Sequence, residues 1–334
     1  MSQVRRGLTF LISFLRVRSP DAFISCGGGS LETRQIGAIE VTVVGIGCNN
    51  FGWRIDARDS EAVVKSALDA GINFFDTADI YGTGQSEEYL GRALGSRRKD
   101  VIIATKFGMK MDDKRHGASP EYVKQAVEAS LQRLGTDRID LYQLHQPDPS
   151  TPIADTLGAL NDLVRAGKVR EIGCSNFSGA QIQEAEAARQ LGGARFESVQ
   201  NQYSLMHREP EADVLPECER RGLAFLPYFP LANGLLTGKY GRGKPVPQGS
   251  RAADGWGPKV FTEDNLAKAD TLKQFAESRG HTLLELAFSW LLSKRMIASV
   301  IAGAKTPAQV AANAAAPNWS FSSEELAEID RILR

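Results

Sequence analysis

Asp76, Tyr81, Lys106 and His145 together make a set that can move a proton, and they recur at comparable places along the chain. Lys106 closes the run Val101-Ile-Ile-Ala-Thr, and His145 closes Ile139-Asp-Leu-Tyr-Gln-Leu. Asp76 closes Asn73-Phe-Phe, and Tyr81 follows five residues later. Each therefore stands at or just past the end of a strand-like segment. In a parallel barrel such ends converge on one mouth, where polar residues read as catalytic. Taken singly, each residue also has a plain structural role: a loop tyrosine packs on the surface, and a strand-end aspartate caps a turn. Together they predict a proton-donating site.

The elements that must position them alternate regularly. Short apolar runs, Val41–Ile46, Asn73–Asp76, Val101–Lys106, Ile139–His145, Val169–Ser175, Ser198–Gln200, Ala224–Pro227 and Ser299–Ile301, read as strands buried on both faces. Amphipathic stretches lie between them: Ser60–Ala70 behind an Asp59/Ser60 cap signal, Tyr122–Leu134 behind Ser119-Pro120-Glu121, then Ile153–Ala166, Gly179–Gln190, Ala212–Arg221, Asn265–Arg279 and Pro307–Ala315. Ser322–Leu333 forms a last helix. Eight strands separated by helices give a (β/α)8 barrel or a doubly wound sheet. The barrel is favoured because polar residues cap nearly every strand, whereas an open sheet concentrates its site at one switch point. No G-x-G-x-x-G follows a strand, so the usual dinucleotide fingerprint is absent. Thr33–Gln35 and Glu40–Val41 flank a turn at Gly37 and predict a hairpin closing the barrel floor. Phe229–Phe261 is a long insertion rich in Gly, Pro and charge.

Composition sets limits. The chain has 334 residues, with 40 basic and 40 acidic side chains, so its formal charge is zero. That argues against nucleic acid or a membrane surface as the main partner. Cys26, Cys48, Cys174 and Cys218 form no C-x-x-C pair, which fits unpaired thiols in a reducing, cytoplasmic setting. The histidines outside the set show no ligand spacing, so no metal is expected. Residues 1–30 differ from the rest: arginines surround a short apolar run, Leu8–Leu15, too short to span a bilayer. They are read as a tail, a weak targeting segment or a frame begun too early, and 31–334 as the single domain.

The segment Gly71-Ile-Asn-Phe-Phe-Asp76-Thr-Ala-Asp-Ile-Tyr81-Gly, followed by Ser86-Glu-Glu-Tyr-Leu-Gly91, closely resembles the signature of the aldo-keto reductases. Four more segments match in order: Thr105-Lys106, Leu131-Gln-Arg-Leu-Gly135 through His145, Gly173-Cys-Ser-Asn176-Phe, and Ser299 through Asn313. The resemblance covers roughly residues 31 to 334. It implies a (β/α)8 barrel that reduces aldehydes and ketones with NAD(P)H, without a Rossmann fold. It also implies that Tyr81 is the general acid and that Asp76, Lys106 and His145 complete a tetrad.

The chemistry can be reasoned from the side chains. A phenol of pKa about 10 is a poor proton donor at neutral pH. A nearby ammonium favours phenolate and lowers that value. Lys106 supplies the ammonium and Asp76 holds it. His145 hydrogen-bonds and orients the carbonyl oxygen. The same donors stabilise charge developing on that oxygen as hydride arrives at carbon.

By resemblance, Ser175, Asn176 and Gln200 grip the nicotinamide amide and Tyr228 stacks on its ring. Leu231, Gly234, Leu236 and Lys239 match the family's pyrophosphate-side loop. Gly303-Ala-Lys305-Thr306 opens the last barrel helix, whose N-terminus favours phosphate. Lys305 suits a 2′-phosphate, with Gln309 and Asn313 toward the adenine, which tilts the preference to NADP(H) with NAD(H) possible. Phe51, Trp53, Phe107 and Met109 are expected to line a substrate pocket, and Phe229 stands where many relatives carry a serine. The substrate is then a small carbonyl compound, with no membrane partner required. A second class stays open, since some proteins of this fold serve as redox-sensing or regulatory subunits of ion channels.

Overall fold

The structure, a computed structural model, describes residues 31–255, 257 and 259–334. Residues 1–30, and with them Cys26 and any leader, lie outside the described residues.

The described chain opens on a hairpin, β1 (Thr33–Ile36) and β2 (Ile39–Thr42), paired antiparallel with Ile36 opposite Ile39. Eight parallel strands follow: β3 (Val44–Gly47), β4 (Phe74–Asp76), β5 (Ile102–Phe107), β6 (Ile139–Leu144), β7 (Val169–Ser175), β8 (Phe196–Gln202), β9 (Ala224–Tyr228) and β10 (Val300–Gly303). Their order is β10-β3-β4-β5-β6-β7-β8-β9. The ring is completed between β9 and the approach to β10, where Phe225 donates its N–H to Met296 O at 2.7 Å and accepts from Ala298 N at 3.1 Å. This is the (β/α)8 barrel that the alternation of runs predicts.

The outer layer contains α1 (Ala57–Asp69), α2 (Gln85–Leu94), α3 (Pro120–Leu134), α4 (Ile153–Arg165), α5 (Gly179–Ala188), α6 (Val214–Arg221), α7 (Glu263–Glu277), α8 (Leu283–Leu292), α9 (Pro307–Ala315) and α10 (Ser323–Leu333). The Ser119 side chain accepts from Tyr122 N and starts α3 with Pro120 in its first turn. Two sequence expectations need correcting. Helix α1 is capped by Asp56, whose carboxylate accepts from Asp59 N at 2.9 Å, so it starts a turn before the Asp59/Ser60 signal. Val41–Ile46 is two strands rather than one. The chain leaves the hairpin at Val43, and the Thr42 hydroxyl reaches across the break to Val44 O at 2.8 Å.

The hairpin seats on the barrel's N-terminal end. Ile36, Ile39 and Val41 pack with Phe74, Ala104 and Leu141 in a buried cluster that stops the floor. Its tip fits closely. Gly37 has φ +54°, and a Cβ there would lie 2.6 Å from the Glu171 carboxyl carbon. Ala38 N–H donates to the same carboxylate at 2.7 Å. With the floor filled, the open end is the other one, where β4 to β10 deliver their terminal residues.

Candidate active site

At that mouth the Lys106 ammonium is buried and holds three oxygens. It donates to Asp76 Oδ1 at 2.6 Å, to Thr77 O at 2.8 Å and to Tyr81 Oη at 3.5 Å. The second Asp76 oxygen accepts from Gln200 Nε2 at 2.9 Å and Gln143 Nε2 at 3.3 Å. A buried ion pair is tolerable only when its remaining lone pairs and protons find partners, and here they do. Tyr81 is reached from the turn after β4, and its ring meets the His145 ring edge-on at 5.8 Å. His145 follows β6 directly and anchors its N–H to Phe107 O at 2.8 Å. All four predicted residues thus come together.

The electrostatics add detail that the sequence does not carry. Burial, reinforced by the Lys106 charge, holds His145 well below the usual imidazole range. His145 is therefore a neutral ring at neutral pH, suited to orienting an oxygen and unsuited to serving as a cationic acid. Tyr81 differs from expectation. Its phenol is pushed above its ordinary value by burial, with Asp76 adding to the rise, and Lys106 opposes this without overcoming it. The lysine moderates the cost of forming phenolate but does not produce a strongly acidic phenol here.

Above the tetrad opens a cavity of about 810 Å³, lined in part by Asp76, Tyr81 and His145. Ser175, Asn176, Gln200 and Tyr228 also line it, and they are bonded to one another or to the barrel wall. Ser175 Oγ donates to Gln200 O at 2.7 Å, Asn176 Nδ2 to His145 O at 2.9 Å, and Tyr228 Oη to Asn176 Oδ1 at 2.8 Å. Asn176 adopts φ +61°, a left-handed conformation that asparagine tolerates. Gln200 spends its amide N–H on Asp76, so it serves the tetrad as well as facing the cavity.

The far end of the cavity is cationic. Leu231, Gly234, Lys239, Gly303, Lys305, Gln309 and Asn313 line it together with Arg54 and Arg251. Lys305 Nζ donates to Gly249 O at 2.7 Å; Arg54 pairs with Asp254; Arg251 reaches Asn233 Oδ1 at 3.1 Å and stands 5.1 Å over the Phe229 ring. Burial first, then mutual repulsion, lowers Lys239, Lys305 and Arg251 below their ordinary values. Four cations crowded around one nearby carboxylate, Asp254, are a setting that a polyanion would relieve. The donor set therefore fits the phosphates of a dinucleotide.

Several expected lining residues are elsewhere. Phe51 and Phe107 are fully buried and do not line the cavity; Phe107 is stacked on Tyr142 with ring centroids 4.7 Å apart. Strand-end aromatics face the layer between barrel and helices as readily as the mouth, and nothing in their spacing distinguishes the two. Leu236 is likewise fully buried. Thr306 caps α9, accepting from Gln309 N, and is not a cavity residue. Trp53 and Met109 do line it. Gln143, Arg54 and Arg251 were not singled out from sequence. Gln143 was legible as the residue two before His145 on one strand face; the two arginines lie in loops with no pattern to mark them.

Among the described residues no group of His, Cys, Asp and Glu is placed to hold a metal ion, and no helix is long and apolar enough to cross a membrane. Cys48, Cys174 and Cys218 are buried free thiols.

An eight-stranded parallel barrel with a lysine–aspartate–tyrosine–histidine group under a cation-rimmed cleft defines a class, and comparison with known proteins gives the same one. The model of the Aldo/keto reductase family matches residues 43–334. The chain belongs to that family, whose members use nicotinamide cofactors. It is 36% identical over 277 residues to a probable voltage-gated potassium channel subunit beta of Arabidopsis thaliana, covering 79% of this chain and 83% of that protein. It is 34% identical over 319 residues to the NADH-specific methylglyoxal reductase of Escherichia coli (strain K12), covering 87% and 94%. The solved glycerol dehydrogenase of Gluconobacter oxydans superposes with a TM-score of 0.79 at 33% identity, covering 90% of this chain and 94% of that one.

Proposed function

We propose that this protein reduces aldehydes or ketones to alcohols with NADPH, Tyr81 delivering the proton. The observation that carries the reading is the Lys106 ammonium, sealed from water and shared between Asp76 and the Tyr81 hydroxyl at the base of the cavity. A purely structural ion pair needs no third contact to a phenol facing a cleft. When bound, the reduced nicotinamide supplies the hydride. Tyr81 protonates the substrate oxygen, neutral His145 orients that oxygen by hydrogen bonding, and Lys106 with Asp76 stabilises the charge left on Tyr81. Ser175, Asn176, Gln200 and Tyr228 frame the ring end. Leu231, Gly234, Lys239, Gly303, Lys305, Gln309 and Asn313 frame the phosphate and adenine end, and Thr306 acts indirectly by capping α9. Consumption of NADPH in the presence of an activated aromatic aldehyde tests the reading; bound cofactor with no consumption across a carbonyl panel would refute it.

Lys305 supports NADPH over NADH, although a relative named for NADH specificity makes the point worth measuring. Lys305→Ala is expected to weaken NADPH about tenfold, the order of one charge-assisted contact, with little change for NADH. Fluorescence titration of both cofactors checks this, and an unchanged ratio of affinities would remove the 2′-phosphate role. Residues 31–334 are proposed as a self-sufficient domain. A chain begun at Leu31 is expected to match the full chain in thermal midpoint and turnover, and loss of folding would assign residues 1–30 a structural part.

The resemblance to a potassium channel subunit supports a second reading, a cofactor-holding regulatory subunit with slow turnover. Release of NADP⁺ separates the two. An enzyme frees it at the rate of steady-state turnover or faster, whereas a sensor retains it through gel filtration.

A further inference from the structure

Between two tetrad residues along the chain stands a buried carboxylate that the proposed chemistry does not use. Asp79 lies between Asp76 and Tyr81 in the loop after β4, is 1% exposed, and donates its backbone N–H to Lys106 O at 3.1 Å. Neither of its carboxylate oxygens has a side-chain donor, the Ile80 amide being the one backbone group turned toward them, and the neighbouring buried Tyr142 hydroxyl has no partner. This contrasts with Glu87 on α2, equally buried but saturated: it accepts from Thr105 Oγ1 at 2.6 Å and from Arg133 Nε at 2.7 Å. A buried carboxylate without side-chain donors is costly as an anion, and the neutral acid is its inexpensive form. A structural role alone would have provided donors, as it has for Glu87.

We propose that Asp79 is a positioning residue that sets the strength of Tyr81 as acid and base, by changing its own charge in a loop whose backbone is hydrogen-bonded to Lys106. As the neutral acid, Asp79 leaves Lys106 with Asp76 as its carboxylate. As the anion it adds a second negative charge within electrostatic reach of Lys106, which favours the ammonium and disfavours phenolate at Tyr81. The groups facing it are Lys106 on β5, Glu87 on α2, Tyr122 and Arg133 on α3, and Tyr142 on β6. Burial first and the Glu87 charge second push Asp79 up to about 7, against Arg133, the Ile80 amide and Lys106. Its change of charge therefore falls at neutral pH. By disfavouring phenolate, the anion makes Tyr81 a poorer proton donor in reduction and leaves less phenolate to act as base in alcohol oxidation; the neutral acid favours both.

The inference rests on Tyr81 being the acid, and the experiment separates the two. Carbon-13 NMR of aspartate-labelled Tyr81→Phe protein follows every aspartate carboxyl whether or not the enzyme turns over. One resonance is expected to titrate near neutrality and to vanish in Tyr81→Phe carrying Asp79→Asn. If no aspartate titrates above about pH 5.5, the proposal is overturned even should Asp79→Asn fail to fold. On the Tyr81 background, the rise of alcohol oxidation with pH is expected to move about half a unit lower in Asp79→Asn and to return in Asp79→Glu. A superimposable Asp79→Asn profile, with Tyr81→Phe inactive, refutes the role of Asp79 alone. An active Tyr81→Phe refutes the reading of Tyr81.

Discussion

Tyr81→Phe is expected to lower turnover about a thousandfold, within the range a positioned proton donor supplies, while NADPH affinity stays within about threefold. The separation follows from geometry. Tyr81 Oη is the site's polar contact to Lys106 facing the cleft, whereas the cofactor end is framed by other elements: Ser175 on β7, Gln200 on β8, Lys305 ahead of α9. Removing one oxygen leaves the Lys106–Asp76 pair and its glutamine donors in place. The fold should tolerate it, and circular dichroism should show an unchanged melting curve. Steady-state kinetics beside cofactor titration checks both halves, and near-normal turnover in the variant would assign the proton to another group.

Lys106→Met is the second large effect, and it differs in kind because stability falls with activity. The Asp76 carboxylate would be left buried with only Gln143 and Gln200 as donors. Breaking a buried pair from one side costs about 3–5 kcal/mol, because the other charge is stranded. For a domain of this size that corresponds to a loss of roughly 5–10 °C in thermal midpoint. Turnover should fall at least about a hundredfold even well below the melting range. Burial already pushes Tyr81 up, and without Lys106 nothing opposes it. Asp76→Asn with Lys106 intact serves as the companion, stranding the ammonium instead. Calorimetry with single-turnover rates at one temperature separates the two losses. A Lys106→Met protein that melts normally and reduces carbonyls at the native rate would show the pair to be ornamental.

These effects could be anticipated because the four tetrad residues sit at or just past strand ends, and the apolar runs before them make those ends readable. The barrel was legible for the same reason: β4 to β10 are short, largely buried and separated by helices, with a clear cap such as Ser119 at the start of α3. Four kinds of feature were not legible. Helix α8, Leu283–Leu292, is apolar on nearly all sides, so no stripe betrays it, and only its Thr282–Glu285 capping box marks its start. The break at Val43 is hidden because both sides are buried. Phe51 and Phe107 were expected at the pocket because aromatic residues beside catalytic ones invite that reading, yet their rings turn into the layer under the helices. Loop residues form the fourth kind. Arg54 comes to the cleft in the loop between β3 and α1 and Arg251 in the insertion after β9, and no periodicity governs where such segments come to rest.

Asp79, buried without a side-chain partner, belongs with these hidden features. In the sequence it is one more acid within the family signature, and only its burial beside a satisfied Glu87 sets it apart.

The most direct test of the account is the fate of the hydride. The protein would be incubated with a reactive aldehyde and NADPH deuterated at both positions of nicotinamide C4, and the alcohol weighed by mass spectrometry. The account predicts one deuterium on the carbinol carbon of every product molecule, formed catalytically by the native protein and at a trace rate by Tyr81→Phe. Alcohol without deuterium, or none from a protein that demonstrably holds NADPH, would contradict it.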